Sequence, residues 1–142
     1  MASQSERNQT VIEEFHTNGG KVGGHFAGRT LLILHTVGAR SGREHVVPVA
    51  YVRNGDDYVV IASKGGAPTH PDWYYNLLSH PHVTVEVGTA QFPVVASVAS
   101  DSDRSPLYDK MVDMMPAFAE YRQRTSRVIP VILLRREDEA AS

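Results

Sequence analysis

The sequence predicts a mainly β (α+β) fold, a small barrel of six strands in mostly antiparallel hairpins with short flanking helices. Three observations predict it. Asn54-Gly55 and Gly88-Thr89 each sit between strand-like segments, as the tight turns of hairpins do. Residues 30–36 (Thr-Leu-Leu-Ile-Leu-His-Thr) are almost continuously apolar, the pattern of a strand buried on both faces. The helical segments are short, and Gly19-Gly20, Pro81 and Pro116 stop or interrupt them. With 142 residues and 42% hydrophobic content, the chain fits one domain, residues 1–142, around one core.

The elements follow in order. Val11, Ile12 and Phe15 share one face of a helix over residues 8–17. Strands are expected at 30–36, 45–53 and 57–63, adjacent and antiparallel, with the loop 37–44 joining the first two. A short helix holds Trp73. Residues 82–87 and 91–98 make the next hairpin. Asp101 or Ser102 can cap a helix running toward Met115, and residues 117–125 resume it after Pro116. The last strand, 128–134, contains Pro130 and is therefore expected at an edge or a bulge. The acidic tail from Glu137 to Ser142 should fray.

Composition excludes several functions. There is no Cys, so disulfide frameworks, thiolate zinc sites and cysteine nucleophiles are out, and a reduced cytoplasm is the expected compartment. The polar N-terminus lacks a signal-peptide core, and no apolar run is long enough for a membrane span. A net charge of −2 argues against nucleic acid as partner. That sum hides an asymmetry. Residues 21–64 carry six basic and three acidic side chains, a local excess that suits a small anionic ligand.

The glycine pairs Gly19-Gly20 and Gly23-Gly24 do not form the dinucleotide fingerprint, and no strand precedes them. The loop from Gly38 to Arg43 lacks the Walker pattern, yet its glycines flank Arg40 and Ser41, a guanidinium and a hydroxyl able to meet phosphate. His80-Pro81-His82 follows a helix stop, and the other His residues show neither H-E-x-x-H spacing nor a recognisable carboxylate partner, so no metal is expected. Ser63 has no G-x-S-x-G context, which argues against a hydrolase. The segment 62–77 is the richest. It joins the apolar run 58–61 to Lys64, Gly65 and Gly66, then to Pro71-Asp72 at a helix start and to Trp73, Tyr74 and Tyr75. A fixed charge, a permissive backbone and flat rings outline a cofactor pocket, though the aromatics can equally fill core.

Taken together, these segments resemble the deazaflavin (coenzyme F420)-dependent nitroreductase family. The resemblance rests on the segments 11–15, 18–24, 38–42, 62–66 and 71–77, then Tyr121 and 124–131, in that order and at family-like spacing. It implies an FMN-binding split-barrel-like fold and 8-hydroxy-5-deazaflavin (F420) as cofactor. By this resemblance Ala39, Arg40 and Ser41, with His45, Val46, Val47, Pro48, Val49 and Ala50, hold the phosphate and acidic tail. Ile61, Ala62, Ser63 and Lys64 match the segment around the ring, as do Asp72, Trp73, Tyr74, Tyr75 and Asn76. Phe118 and Tyr121 close the pocket near the substrate. Hydride passes to a small hydrophobic acceptor (a quinone, an activated alkene or a nitroaromatic), with Tyr121, Ser63 or water as the proton source. Where the family often has Arg, this chain has His45. Met115 and Phe118 stand where the namesake nitroreductase has tyrosines, which turns the expected acceptor away from nitro compounds. Two alternatives share the fold: an enzyme using FMN, and a coenzyme carrier without turnover.

Overall fold

The computed structural model describes residues 4–22 and 30–137. The Gly23-Gly24 pair and the tail beyond Glu137 lie outside them. In chain order come α1 (Gln4–Thr17), β1 (Leu31–Val37), β2 (Glu44–Ala50), β3 (Val52–Asn54) and β4 (Asp57–Ile61). A 3₁₀ turn (Lys64–Gly66), α2 (Asp72–Ser79), β5 (His82–Val87) and β6 (Ala90–Val98) follow, then α3 (Asp101–Met114), α4 (Ala117–Arg124) and β7 (Val131–Arg136). The strands form one antiparallel sheet in the order β2-β1-β5-β6-β7-β4-β3. β2 and β3 occupy opposite ends of that order, yet only Tyr51 separates them in the chain. The sheet must therefore curl back on itself. Tyr51 marks the corner, its N–H donating to the Thr30 carbonyl at 3.1 Å while the Thr30 hydroxyl donates to the Tyr51 carbonyl.

Curling gives the sheet an inside and an outside, and period-2 alternation sends side chains to each. Leu32, Leu34, Tyr58, Val60, Ile132 and Leu134 fill the inside with Val85, Phe92 and Val94. Their neighbours Leu31 and Ile33 face Ile12 and Phe15 of α1, and Val59, Ile61 and Val131 face Leu107, Met111 and Phe118 of α3 and α4. Both faces are covered, which is why the run 31–34 is apolar at every position.

Four expectations are corrected. The described residues hold seven strands, because 45–53 breaks at Tyr51 into β2 and β3. The strands after β2 are not all its neighbours: β4 pairs with β3 and β7, while β1 pairs with β2 and β5. Ser100, ahead of Asp101, caps α3, accepting from the Asp103 N–H at 3.3 Å. β7 is interior, between β6 and β4. Pro130 does not push it to an edge because the ladder begins at Val131, and the Pro130 carbonyl accepts from Ala62.

Candidate active site

A cleft of about 1480 Å³ opens where the 38–43 loop, the start of β2, the Lys64 turn, α2 and Tyr121 of α4 meet. The loop is a closed turn. Gly38 N–H donates to the Arg43 carbonyl at 2.8 Å, Gly42 N–H donates to Gly38 at 3.0 Å, and Gly42 has φ 71°. A Cβ on Gly38 would run into Ser41 Oγ and lie 2.9 Å from His45 Nε2, so glycine is what lets these two close over the loop. Ser41 Oγ and His45 Nε2 stand 3.4 Å apart.

Asn76 ties this loop to α2. Its Oδ1 accepts from the Ala39 N–H at 3.0 Å and its Nδ2 donates to Thr36 Oγ1 at 3.1 Å, with the residue only 6% exposed. Opposite, the 3₁₀ turn follows β4. Lys64 has φ 49°, the one positive φ outside glycine among the described residues, and its Nζ donates to Thr69 Oγ1 at 3.3 Å. Gly66 (φ 82°) presses the turn onto α4: a Cβ there would lie 2.8 Å from the Tyr121 carbonyl oxygen. Tyr121 itself stands edge-on to Phe118, centroids 5.0 Å apart.

The structure brings together Ala39, Arg40, Ser41, His45, Val47, Pro48, Lys64, Asp72, Trp73, Tyr75, Asn76 and Tyr121 on the cleft wall. Others on the sequence-based list lie behind it. Ala50, Ile61 and Phe118 belong to the core under α3 and α4, and Tyr74 packs on the inner core. Val46 packs beside α1. Val49 adjoins the inner core, and Ala62 and Ser63 are buried beneath the turn. Met115 is buried in the core with Phe118, so of the three aromatic-wall positions Tyr121 alone lines the cleft. The cleft also takes Asn8, Leu78 and Ser79, which sequence reasoning missed. The exposed Tyr75 and Leu78, three apart on α2, were the available signal.

Arg127 was missed as well. Its guanidinium donates to the carbonyls of Ser63 (2.7 Å), Ala67 (2.9 Å) and Ala62 (3.3 Å), and its Nη1 lies 2.8 Å from His70 Nδ1. Burial, then the Arg127 charge, push the His70 pKa below its ordinary value, consistent with a neutral ring that accepts from the guanidinium. The His70 ring lies tilted against Tyr74 and edge-on to Tyr75, centroids 4.7 and 5.8 Å away.

The histidines do find carboxylates once the chain folds: His16 and His35 meet Glu86, His35 also meets Glu44, and His82 meets Glu137. No group of three metal-ligating side chains is suitably placed for an ion among the described residues.

The wall thus holds Arg40, Ser41 and His45 at the loop end, Lys64 opposite, and along α2 the flat or apolar Trp73, Tyr75 and Leu78 beside the polar Asp72, Asn76 and Ser79. The model of the F420H(2)-dependent quinone reductase family matches residues 6–136. The chain belongs to that family. An F420H(2)-dependent quinone reductase of Mycobacterium tuberculosis is 38% identical over 110 residues, covering 74% of this chain and 72% of the relative. The solved structure of an F420-H2 dependent reductase superposes with a TM-score of 0.69 at 35% identity, over 79% of this chain and 99% of that one. A structure described as a domain-swapped dimer gives 0.70 at 32% identity, over 93% and 99%. As a family member the chain is an F420-dependent reductase, with coenzyme F420 as its cofactor. The residues present fit that group. Arg40 and His45 suit an anionic tail, Lys64, Trp73 and Tyr75 suit the ring end, and Asp72 is the one carboxylate on the wall.

Proposed function

We propose that this cleft binds the reduced coenzyme and an apolar, flat acceptor of the quinone class, and that the protein's work is placement and proton supply. The carrying observation is the make-up of the wall, with Arg40, Ser41 and His45 at the 38–45 end and Trp73, Tyr75 and Leu78 on α2. When bound, the coenzyme supplies a hydride. Arg40, Ser41 and His45 hold its phosphorylated tail, and Lys64 fixes the ring end by charge. Trp73 and Tyr75 offer flat faces, and the exposed Leu78 extends an apolar surface for the acceptor. A volume above the roughly 300–1,000 Å³ of ordinary small-molecule sites leaves room for both partners.

Tyr121 is the proton donor of choice in this reading, since the residue lines the cleft whereas Ser63 is buried behind it. Activated alkenes and nitroaromatics are secondary acceptors in this reading, because of positions 115, 118 and 121 only Tyr121 carries a phenol, which leaves few donors there for a nitro group.

The test is a fluorescence titration with oxidised F420 and with FMN, followed by steady-state reduction of a naphthoquinone and a nitroimidazole. Arg40→Ala and Lys64→Ala should each weaken F420 binding by about tenfold or more, as loss of a charge-assisted hydrogen bond does. Tyr121→Phe should lower turnover more than coenzyme affinity. Unchanged affinity in both cation variants, or faster nitroimidazole than quinone reduction, would refute the assignment.

A further inference from the structure

We propose that Arg127 is a positioning residue for the coenzyme site: its guanidinium holds the 62–67 turn in the shape that presents Lys64 to the cleft. This rests on the reading of the cleft given above. Arg127 lies outside the cleft wall, so any effect it has on the coenzyme passes through the groups it holds, the turn and His70.

The geometry is that of a clamp. Three carbonyls within six residues point at one guanidinium, two just ahead of Lys64 and one beyond Gly66. Ser63 O also accepts from Gly66 N–H at 2.9 Å, and Lys64 O accepts from Ala67 N–H at 3.1 Å, so the turn's own bonds and the clamp share one framework. Lys64 sits inside it in the left-handed region (φ 49°), a conformation that an ordinary L residue adopts only when its surroundings fix it. Released from the clamp, Lys64 would relax toward negative φ and swing its side chain away from Thr69. The fourth partner, His70, carries the constraint to the aromatic face of α2 through its contacts with Tyr74 and Tyr75. One residue thereby couples the charged and the aromatic halves of the site. A planar fork with donors in fixed directions can serve four acceptors at once, whereas the ammonium of lysine cannot match that arrangement.

The experiment compares Arg127→Ala and Arg127→Lys with native protein by hydrogen–deuterium exchange without coenzyme, by F420 titration, and by a double-mutant cycle with Lys64→Ala. Both variants should speed exchange of the Gly66 and Ala67 amides while β1 and β5 amides keep their protection. Coenzyme affinity should fall about tenfold in Arg127→Ala and less in Arg127→Lys. Lys64→Ala should cost clearly less affinity in the Arg127→Ala background than in native protein, because an unplaced Lys64 has less to lose. Native exchange in the turn, or the same Lys64→Ala loss in both backgrounds, would overturn the proposal. Should Arg127→Ala not fold, Arg127→Lys supplies the same comparisons. Faster turn exchange together with a Lys64→Ala variant that binds F420 as native protein does would refute the cleft reading and, with it, a coenzyme role for Arg127.

Discussion

Asn76 shows how much a single amide decides. The family resemblance placed it, with Asp72, Trp73, Tyr74 and Tyr75, in a segment around the ring. In the structure both ends of its amide serve the protein, joining the Ala39 backbone to Thr36. It lines the cleft and shapes it. Asn76→Ala should cost about 1–3 kcal/mol in chemical denaturation, because the part-buried Ala39 N–H loses its acceptor and the buried Thr36 hydroxyl loses a donor. Coenzyme affinity should fall with it as the 38–43 loop loosens. Asn76→Asp keeps an acceptor for Ala39 but offers Thr36 no donor, and should lie between the two in stability. Equal stability of all three proteins would mean that water replaces the amide at no cost. Many of the cleft residues were readable from sequence because the resemblance named their segments: Arg40 and Lys64 stand in glycine-marked turns, and Trp73 follows Pro71 at the start of α2. Arg127 was not readable, since its four partners lie 57–65 positions away and nothing local distinguishes it from Arg122 or Arg124.

At the scale of elements, hairpin signals and apolar runs located most strands, and the errors have a common cause. Alternation continues through Tyr51 without a break, so the corner that separates β2 from β3 leaves no local mark; it exists because the two ends of the curled sheet must be joined. The placement of Pro130 misled for a related reason: one residue of offset decides whether a proline interrupts a ladder or precedes it. Packing of the Lys64 turn on α4 is another such relation, and Gly66 carries it. Gly66→Ala would force a Cβ to 2.8 Å from Tyr121 O and 2.9 Å from Arg124 Cβ, where the first obstacle is backbone. The left-handed backbone adds about 1–2 kcal/mol of its own. The expected result is a lower thermal midpoint and a turnover loss larger than the change in coenzyme KM, as α4 and its Tyr121 are displaced. Native turnover and native melting in Gly66→Ala would show that α4 moves away freely.

Across the whole molecule, the groups that join distant segments are the least legible in sequence and the most informative about pH. Glu86 on β5 receives His35 of β1 at 2.6 Å and His16 of α1 at 2.8 Å, and His35 reaches Glu44 of β2 at 3.2 Å. Three elements meet at this carboxylate and β2 joins them through His35, and β1 and β2 are the strands that carry the 38–43 loop. Burial alone would raise the Glu86 pKa, but the hydrogen bonds from His35 and His16 outweigh it and the net shift is downward. A carboxyl whose folded pKa lies below its unfolded value contributes stability that is complete above the unfolded value, near 4.5. That contribution is lost as pH falls through the lower folded value. Most of it belongs to the His35 contact, where both side chains are largely covered, since His16 is 53% exposed and an exposed pair contributes little. Glu86→Gln should therefore destabilise the protein at neutral pH. The gap from native protein should narrow below about pH 4.5, in the window where native Glu86 takes up its proton. His16→Gln should reproduce only a small part of the neutral-pH loss, and His35→Gln more of it. Denaturation midpoints measured from pH 3 to pH 7 for these proteins supply the check. A Glu86→Gln deficit that stays constant across that range would show that the carboxylate's charge contributes nothing to holding α1, β1 and β5 together.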